Sequence, residues 1–241
     1  MPEHTPLPIQ TQRNYYANTA ADYDQMHLGD EEHSHALQHA ISFLRQYNLT
    51  TVLDVGCGTG RGVKYFLDRK YHAVGVEPVP ELLEAGIADH NIPKDCMIQG
   101  SGESLPFEDS SFDASIELGV LHHVPQPELV VNEMIRTTRH MILLSDSNRF
   151  GQGRFAWRLI KLAAWKLRLW PCLDFVRTRG KGYTLSEEDG LAYSYSVYDS
   201  FDQLNAWADH IYVIPTVKAT SRSWIHPLLT SSHVLLIAIR H

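Results

Sequence analysis

Thr51-Val-Leu-Asp-Val-Gly-Cys-Gly-Thr-Gly60 starts as a short apolar run and closes on three glycines in alternation. Such a run reads as a strand, and a turn this rich in glycine lets the backbone pass close to a ligand. Outward from it the pattern repeats. Further apolar runs stand at HAVGVE (72–77), DCMIQG (95–100), FDASIEL (112–118) and HMILLSD (140–146). Helical segments are predicted between them over 60–70, 79–89 and 126–138. Strands alternating with helices of this length imply parallel βαβ units. The runs are apolar throughout, as expected when helices cover both faces of the sheet.

The spacing of the glycines separates two kinds of nucleotide site. The dinucleotide fingerprint is Gly-x-Gly-x-x-Gly. Counted from Gly56 the sixth position is Arg61, and from Gly58 it is Val63. Asp54 lies two residues before the first glycine, where a buried carboxylate suits a cationic ligand better than a pyrophosphate. Glu77 ends the second strand, seventeen residues past Gly60. In nucleoside-binding α/β folds an acid there grips ribose hydroxyls.

Asp54-Val-Gly-Cys-Gly-Thr-Gly60 resembles the first motif of the class I S-adenosylmethionine-dependent methyltransferases. Gly100-Ser-Gly-Glu-Ser-Leu-Pro-Phe-Glu-Asp-Ser-Ser-Phe-Asp113 resembles the family's third-strand loop and the lead into its fourth strand. Leu118-Gly-Val-Leu-His-His-Val124, followed by Pro127-Glu-Leu, resembles the small-molecule branch, methyltransferase type 11, which includes ubiquinone and menaquinone C-methyltransferases. Tyr15-Tyr16 and Ala21-Asp-Tyr-Asp24 resemble its N-terminal lead-in.

The resemblance implies a doubly wound α/β sheet of seven strands. The last strand, SHVLLIAIR (232–240), would run antiparallel, after a further strand at HIYVIPTV (210–217). It also implies S-adenosylmethionine as cofactor and S-adenosylhomocysteine as product. Asp54, Gly56, Cys57, Gly58 and Gly60 would surround the methionine part, with Glu77 and Pro78 at the ribose. Ser101, Gly102 and Glu103 would edge the adenine, and Glu117, Leu118, Tyr15 and Tyr23 would complete the site. Ser101 departs from the family's frequent Asp and is a neutral, weaker acceptor. Glu117-Leu-Gly-Val replaces the Asn/Asp-Pro-Pro-Tyr/Phe turn of enzymes that methylate nucleobase amino groups, which argues against DNA as substrate. His122 and His123, just past the fourth strand, are the candidate general bases.

The chain reads as one domain of 241 residues. Residues 1–13 read as a loose tail, 14–48 as one or two helices, 51–146 as the cofactor-binding core, 147–199 as a cap insert and 200–241 as a closing helix and strands. With 44% hydrophobic and 20% charged residues the chain can bury a core. Three scattered cysteines and the lack of a signal-peptide run point to the cytoplasm. Of His33, His35 and His39 only His35 and His39 share a helical face, a poor metal site without a third group in place, and beside Glu31 and Glu32 the cluster reads as a solvated helix entrance, so no metal is expected.

The insert breaks the charge balance. Residues 149–181 hold nine Lys/Arg and one acid, Asp174, a net of +8, so the rest of a chain with net charge −7 carries −15. With 154–170 helical, Arg154, Arg158, Lys161 and Arg168 fall within an arc of about 80°. Three readings stand: a lid whose Arg158 and Lys161 meet an anionic substrate such as a phosphorylated sugar or lipid head group; a membrane-surface helix carrying Trp157, Trp165 and Trp170, the less favoured; and a packed helix with a solvated basic stripe. Tyr193 and Tyr195 are candidate substrate contacts. Two other classes remain as alternatives: an NAD(P)-dependent oxidoreductase or epimerase, and a non-catalytic cofactor-binding module.

Overall fold

A computed structural model describes residues 7–27, 29–186, 190–217 and 223–241. Three helices come first: α1 (Leu7–Thr19), α2 (Tyr23–Met26) and α3 (Glu31–Gln46). Then follow β1 (Thr51–Val55), α4 (Arg61–Leu67), β2 (His72–Glu77), α5 (Pro80–His90), β3 (Met97–Gln99), β4 (Phe112–Leu118), α6 (Pro127–Thr137) and β5 (Thr138–Ser147). The insert contributes α7 (Phe155–Lys166), α8 (Trp170–Arg177) and the hairpin β6 (Tyr183–Ser186) and β7 (Gly190–Tyr193). The chain closes with α9 (Phe201–Trp207), β8 (His210–Pro215) and β9 (His233–Ile239).

Seven strands form one sheet in the order β3-β2-β1-β4-β5-β9-β8. β1 through β5 pair in parallel, and β9 runs antiparallel to both β5 and β8. This is the doubly wound sheet with an antiparallel last strand that the resemblance implies. Alternate residues of each strand feed two cores. Val52, Ala114, Ile116, Met141, Leu143 and Ile237 pack under α3 and α4. Leu53, Val55, Ile142, Leu144, Leu236 and Ala238 pack under α6 and α9. Helix α3 presents Ala36, Leu37, Ala40, Ile41 and Leu44 at helical spacing, all buried. The order reverses between β1 and β4, so their carboxyl ends splay apart and leave the crevice in which such sheets hold ligands.

Two expectations change. The segment 7–13 is not a loose tail but the first half of α1; residues 1–6 lie outside the described residues. Its apolar residues lack a clear stripe, so the helix depends on tertiary contacts, chiefly buried Gln12 and the packing of Tyr16 and Ala20. β3 is also shorter than 95–100, because a 3-10 turn at Lys94–Cys96 takes up its start and the strand lies at the sheet edge.

Candidate active site

At the carboxyl ends of β1, β2 and β4 lies a cavity of about 150 Å³. Gly56, Glu77 and Pro78 form one side, and Ser101, Gly102 and Glu103 an end. Leu118 and His123 line the side toward β4. Glu77 is buried, and its carboxylate accepts from the backbone N–H groups of Gly58 (3.1 Å) and Val79 (3.0 Å). Burial pushes its pKa up to about 7, against those two donors and the charge of Arg13. Gly56 has φ +72°, and a Cβ there would lie 2.6 Å from Val120 Cγ2. The loop therefore needs glycine both for its backbone conformation and for close packing.

Other residues of the motif support this cavity from behind. Gly58 and Gly60, at φ +55° and +79°, turn the loop; the Gly58 turn lies under the Tyr23 ring, and Gly60 faces Ile92 and Met97. Cys57 packs against Gly75. Asp54 is buried beneath the loop and accepts from the Val63 N–H; burial, then the charge of Glu77, raises its pKa to about 7. Tyr15 packs beside Gly190, and the neighbouring Tyr16, not Tyr15, lines the cavity together with Tyr23. Gln12 and Arg13 line it too. They were missed because they fall in the segment read as a tail; the one available signal was the helical run continuing into Tyr15-Tyr16.

A second cavity of about 310 Å³ opens on the other side of the His122-His123 pair. His123 lines the first cavity and His122 the second, and their rings lie 3.9 Å apart between centroids. His123 donates from Nδ1 to the Leu191 carbonyl (2.6 Å). Leu191 N–H in turn donates to Gln12 Oε1 (2.5 Å). This chain ties α1, the hairpin and the segment after β4 into one wall.

His122 Nδ1 lies 2.7 Å from Asp146 Oδ1, and Asp146 is fully buried. Burial alone would raise Asp146, but the His122 charge beside it holds it below the ordinary range. Glu117 lies behind this pair rather than in the first cavity. Its Oε2 accepts from the Val120 N–H (3.1 Å). Burial and then the Asp146 charge push it well above the carboxylate range, which favours its protonated form.

Arg149, Lys161 and Arg177 bring three cationic side chains to the second cavity. Arg149 is buried, donates to the Ser194 carbonyl, pairs with Asp199 and stacks on Trp170 at 4.9 Å. Its Nε is buried with no hydrogen-bond partner among the described residues. Arg177 pairs with Asp174. Lys161 is buried and donates to the carbonyls of Arg149 and Gln152 (2.9 Å for the latter). Burial, then the charges of Arg158, Arg149 and Arg177, lowers it to about 8. The solvated-stripe reading thus fails for Lys161. Arg158 instead ties the cap down, donating to the Gly153 (2.7 Å) and Leu229 (2.9 Å) carbonyls. Tyr193 and Tyr195 both line the second cavity; Tyr195 is otherwise a core residue whose hydroxyl bonds Ser200 Oγ (2.8 Å).

The histidine cluster disperses. His35 donates to the Thr216 carbonyl (2.8 Å), while His33 lies beside Asp30. No group of three metal-ligating side chains stands together among the described residues.

Residues 53–141 match the family model described as a methyltransferase domain. Among curated relatives, an uncharacterized methyltransferase of Mycobacterium sp. (strain JLS) is 44% identical over 89 residues, 37% of this chain and 34% of the relative. The match therefore spans about a third of that protein's length. Likeness to solved structures runs through nearly the whole chain. Magnesium protoporphyrin IX methyltransferase of Synechocystis PCC 6803, solved with S-adenosylhomocysteine, has a TM-score of 0.61 at 13% identity, covering 95% of this chain and 98% of that one. The 1,6-didemethyltoxoflavin-N1-methyltransferase of Burkholderia thailandensis has a TM-score of 0.60 at 15% identity, covering 100% and 93%. At such identities the likeness is one of fold. The match to a methyltransferase domain thus covers residues 53–141, and over the rest of the chain the likeness to these methyltransferases is one of fold. The matched residues run from within β1 to within β5 and leave the N-terminal helices and the cap outside the match.

Proposed function

We propose that the protein transfers a methyl group from S-adenosylmethionine to an anionic small molecule held in the second cavity. The observation that carries this reading is that two cavities of different character meet at one histidine pair. The first is apolar with a single buried acid, and the second is cationic.

The first cavity fits the cofactor. Glu77 would accept from the ribose hydroxyls, for which its ionised form is the better acceptor. Val130, which packs beside Gly102, and Val79 both line the cavity and would enclose the adenine. Arg13 would meet the amino-acid carboxylate, and Gly56 would pass beneath the methionine chain. When bound, the cofactor supplies an electrophilic methyl on a sulfonium, so alignment of the acceptor supplies much of the rate enhancement.

His122 is the residue proposed as general base where the acceptor needs one. Asp146 fixes its ring through Nδ1 and stabilises its protonated form, the logic by which a buried carboxylate orients a catalytic imidazole. Lys161 and the Arg149 guanidinium would hold the acceptor's anionic group, a phosphorylated sugar, a lipid head group or another charged metabolite. Tyr193 and Tyr195 would pack its body. The dinucleotide alternative is disfavoured by the glycine spacing and by the family match.

The test is methyl transfer from radiolabelled S-adenosylmethionine to a panel of anionic and neutral acceptors. Label should enter an anionic acceptor, and Lys161→Met should raise KM for it. Label on neutral acceptors only would overturn the anionic assignment, and cofactor binding without any labelled product would leave a binding module.

A further inference from the structure

The cap is built inside out. On α7, the charged residues Arg158 and Lys161 turn inward, whereas Leu159 and Ile160 face out. On α8, Trp170 is buried under Arg149, whereas Phe175 and Val176 face out. Leu167 and Leu169 join the two exposed faces. These six apolar side chains are 44–74% exposed, whereas a helix packed on a domain normally turns such residues in. Around them stand the exposed cations Arg154, Lys166, Arg168, Arg179 and Lys181. The one acid of the segment, Asp174, is engaged by Arg177.

We infer that the α7–α8 face docks on an anionic lipid surface. An apolar ridge framed by Lys and Arg is the composition that lies at a membrane interface, with the side chains in the acyl boundary and the cations on the head groups. Charge selects this occupant over a second copy of the chain. Two copies meeting through this face would bring ten like charges together, with the one acid of each face, Asp174, already paired to Arg177. No helix among the described residues is long and apolar enough to cross a membrane, so the contact is peripheral. Trp157, Lys161 and Trp170 of the same helices line the second cavity, which places that cavity directly behind the docking face. The inference does not depend on methyl transfer.

Sedimentation of the full chain with vesicles tests it. The probes are phosphatidylcholine vesicles and phosphatidylcholine vesicles doped with phosphatidylglycerol. Binding is expected to the doped vesicles only and to weaken with salt. Arg168→Glu with Lys181→Glu should weaken it by well over tenfold, since each basic side chain near an anionic surface contributes about fivefold. Ile160→Glu and, on the other helix, Phe175→Glu should each weaken it about tenfold or more, with circular dichroism unchanged. A polarity-sensitive dye on Cys172, exposed on α8, should shift to the blue on the doped vesicles. Three results would overturn the inference: no vesicle binding, binding unaffected by these substitutions, or a soluble dimer that Ile160→Glu dissociates in place of any lipid binding.

Discussion

Glu77→Gln is the substitution that probes the cofactor cavity most sharply. Burial pushes the Glu77 carboxyl up to about 7 against an ordinary 4.5, a difference worth about 3 kcal/mol at ~1.4 kcal/mol per pH unit. Its folded pKa is raised, so its contribution to stability is fully present below about pH 4.5 and is lost as pH rises through about 7. Ligand hydroxyls favour the ionised form, so binding should pull in the opposite direction. A ligand that binds only the carboxylate tightens about tenfold between about pH 6 and pH 8. Glutamine keeps the shape but not the charge, and sets an NH2 against one of the two backbone donors. Losing a charged hydrogen bond costs about 1.5–3 kcal/mol, or roughly 10- to 150-fold in affinity. Titration calorimetry of S-adenosylhomocysteine across this range should show wild-type affinity rising with pH, and the variant weak and flat. The apo variant should melt at pH 8 close to wild type, because relief of the buried charge offsets the mispaired donor. A pH-independent wild-type affinity with a variant within about twofold of it would refute the reasoning.

Gly56→Ala should weaken cofactor binding and lower Tm, since it adds a Cβ 2.6 Å from Val120 Cγ2 at φ +72° and such strain costs about 1–3 kcal/mol; thermal shift with and without ligand reads both effects. Asp146→Asn should lower kcat about 100-fold or more while leaving S-adenosylhomocysteine affinity unchanged, because it frees the His122 ring without touching the first cavity; steady-state kinetics beside calorimetry decides it. Lys161 titrates near 8, and only its protonated form attracts an anion, so KM for an anionic acceptor should rise as pH passes above about 8, and in Lys161→Met that rise should vanish. Arg158→Glu, by contrast, should lower Tm, because Arg158 clamps two backbone carbonyls of the cap.

The central sheet was legible because each strand is a continuous apolar run that both layers of helices can bury. The ligand crevice was legible because three alternating glycines have few other uses. What the glycine motif conceals is direction. Gly56 and Glu77 reach the cavity, while Cys57, Gly58 and Gly60 serve the turn and its packing, a distinction made by φ angles and by partners such as Gly75 that lie far along the chain. Helix α1 was illegible because its order comes from Gln12 reaching across to Leu191, a contact no local period encodes. The cap's charge was legible as a sum but not in its orientation: sequence pattern assigns cations to water and leucines to the core, and α7 reverses both for Lys161 and Ile160.

The most direct measurement for the cofactor site is calorimetric titration of the wild-type protein with S-adenosylhomocysteine and, in parallel, with NAD and NADP. The structure predicts micromolar binding of S-adenosylhomocysteine, weakened in Gly56→Ala, and no heat with either dinucleotide. Dinucleotide binding with no response to S-adenosylhomocysteine would contradict it.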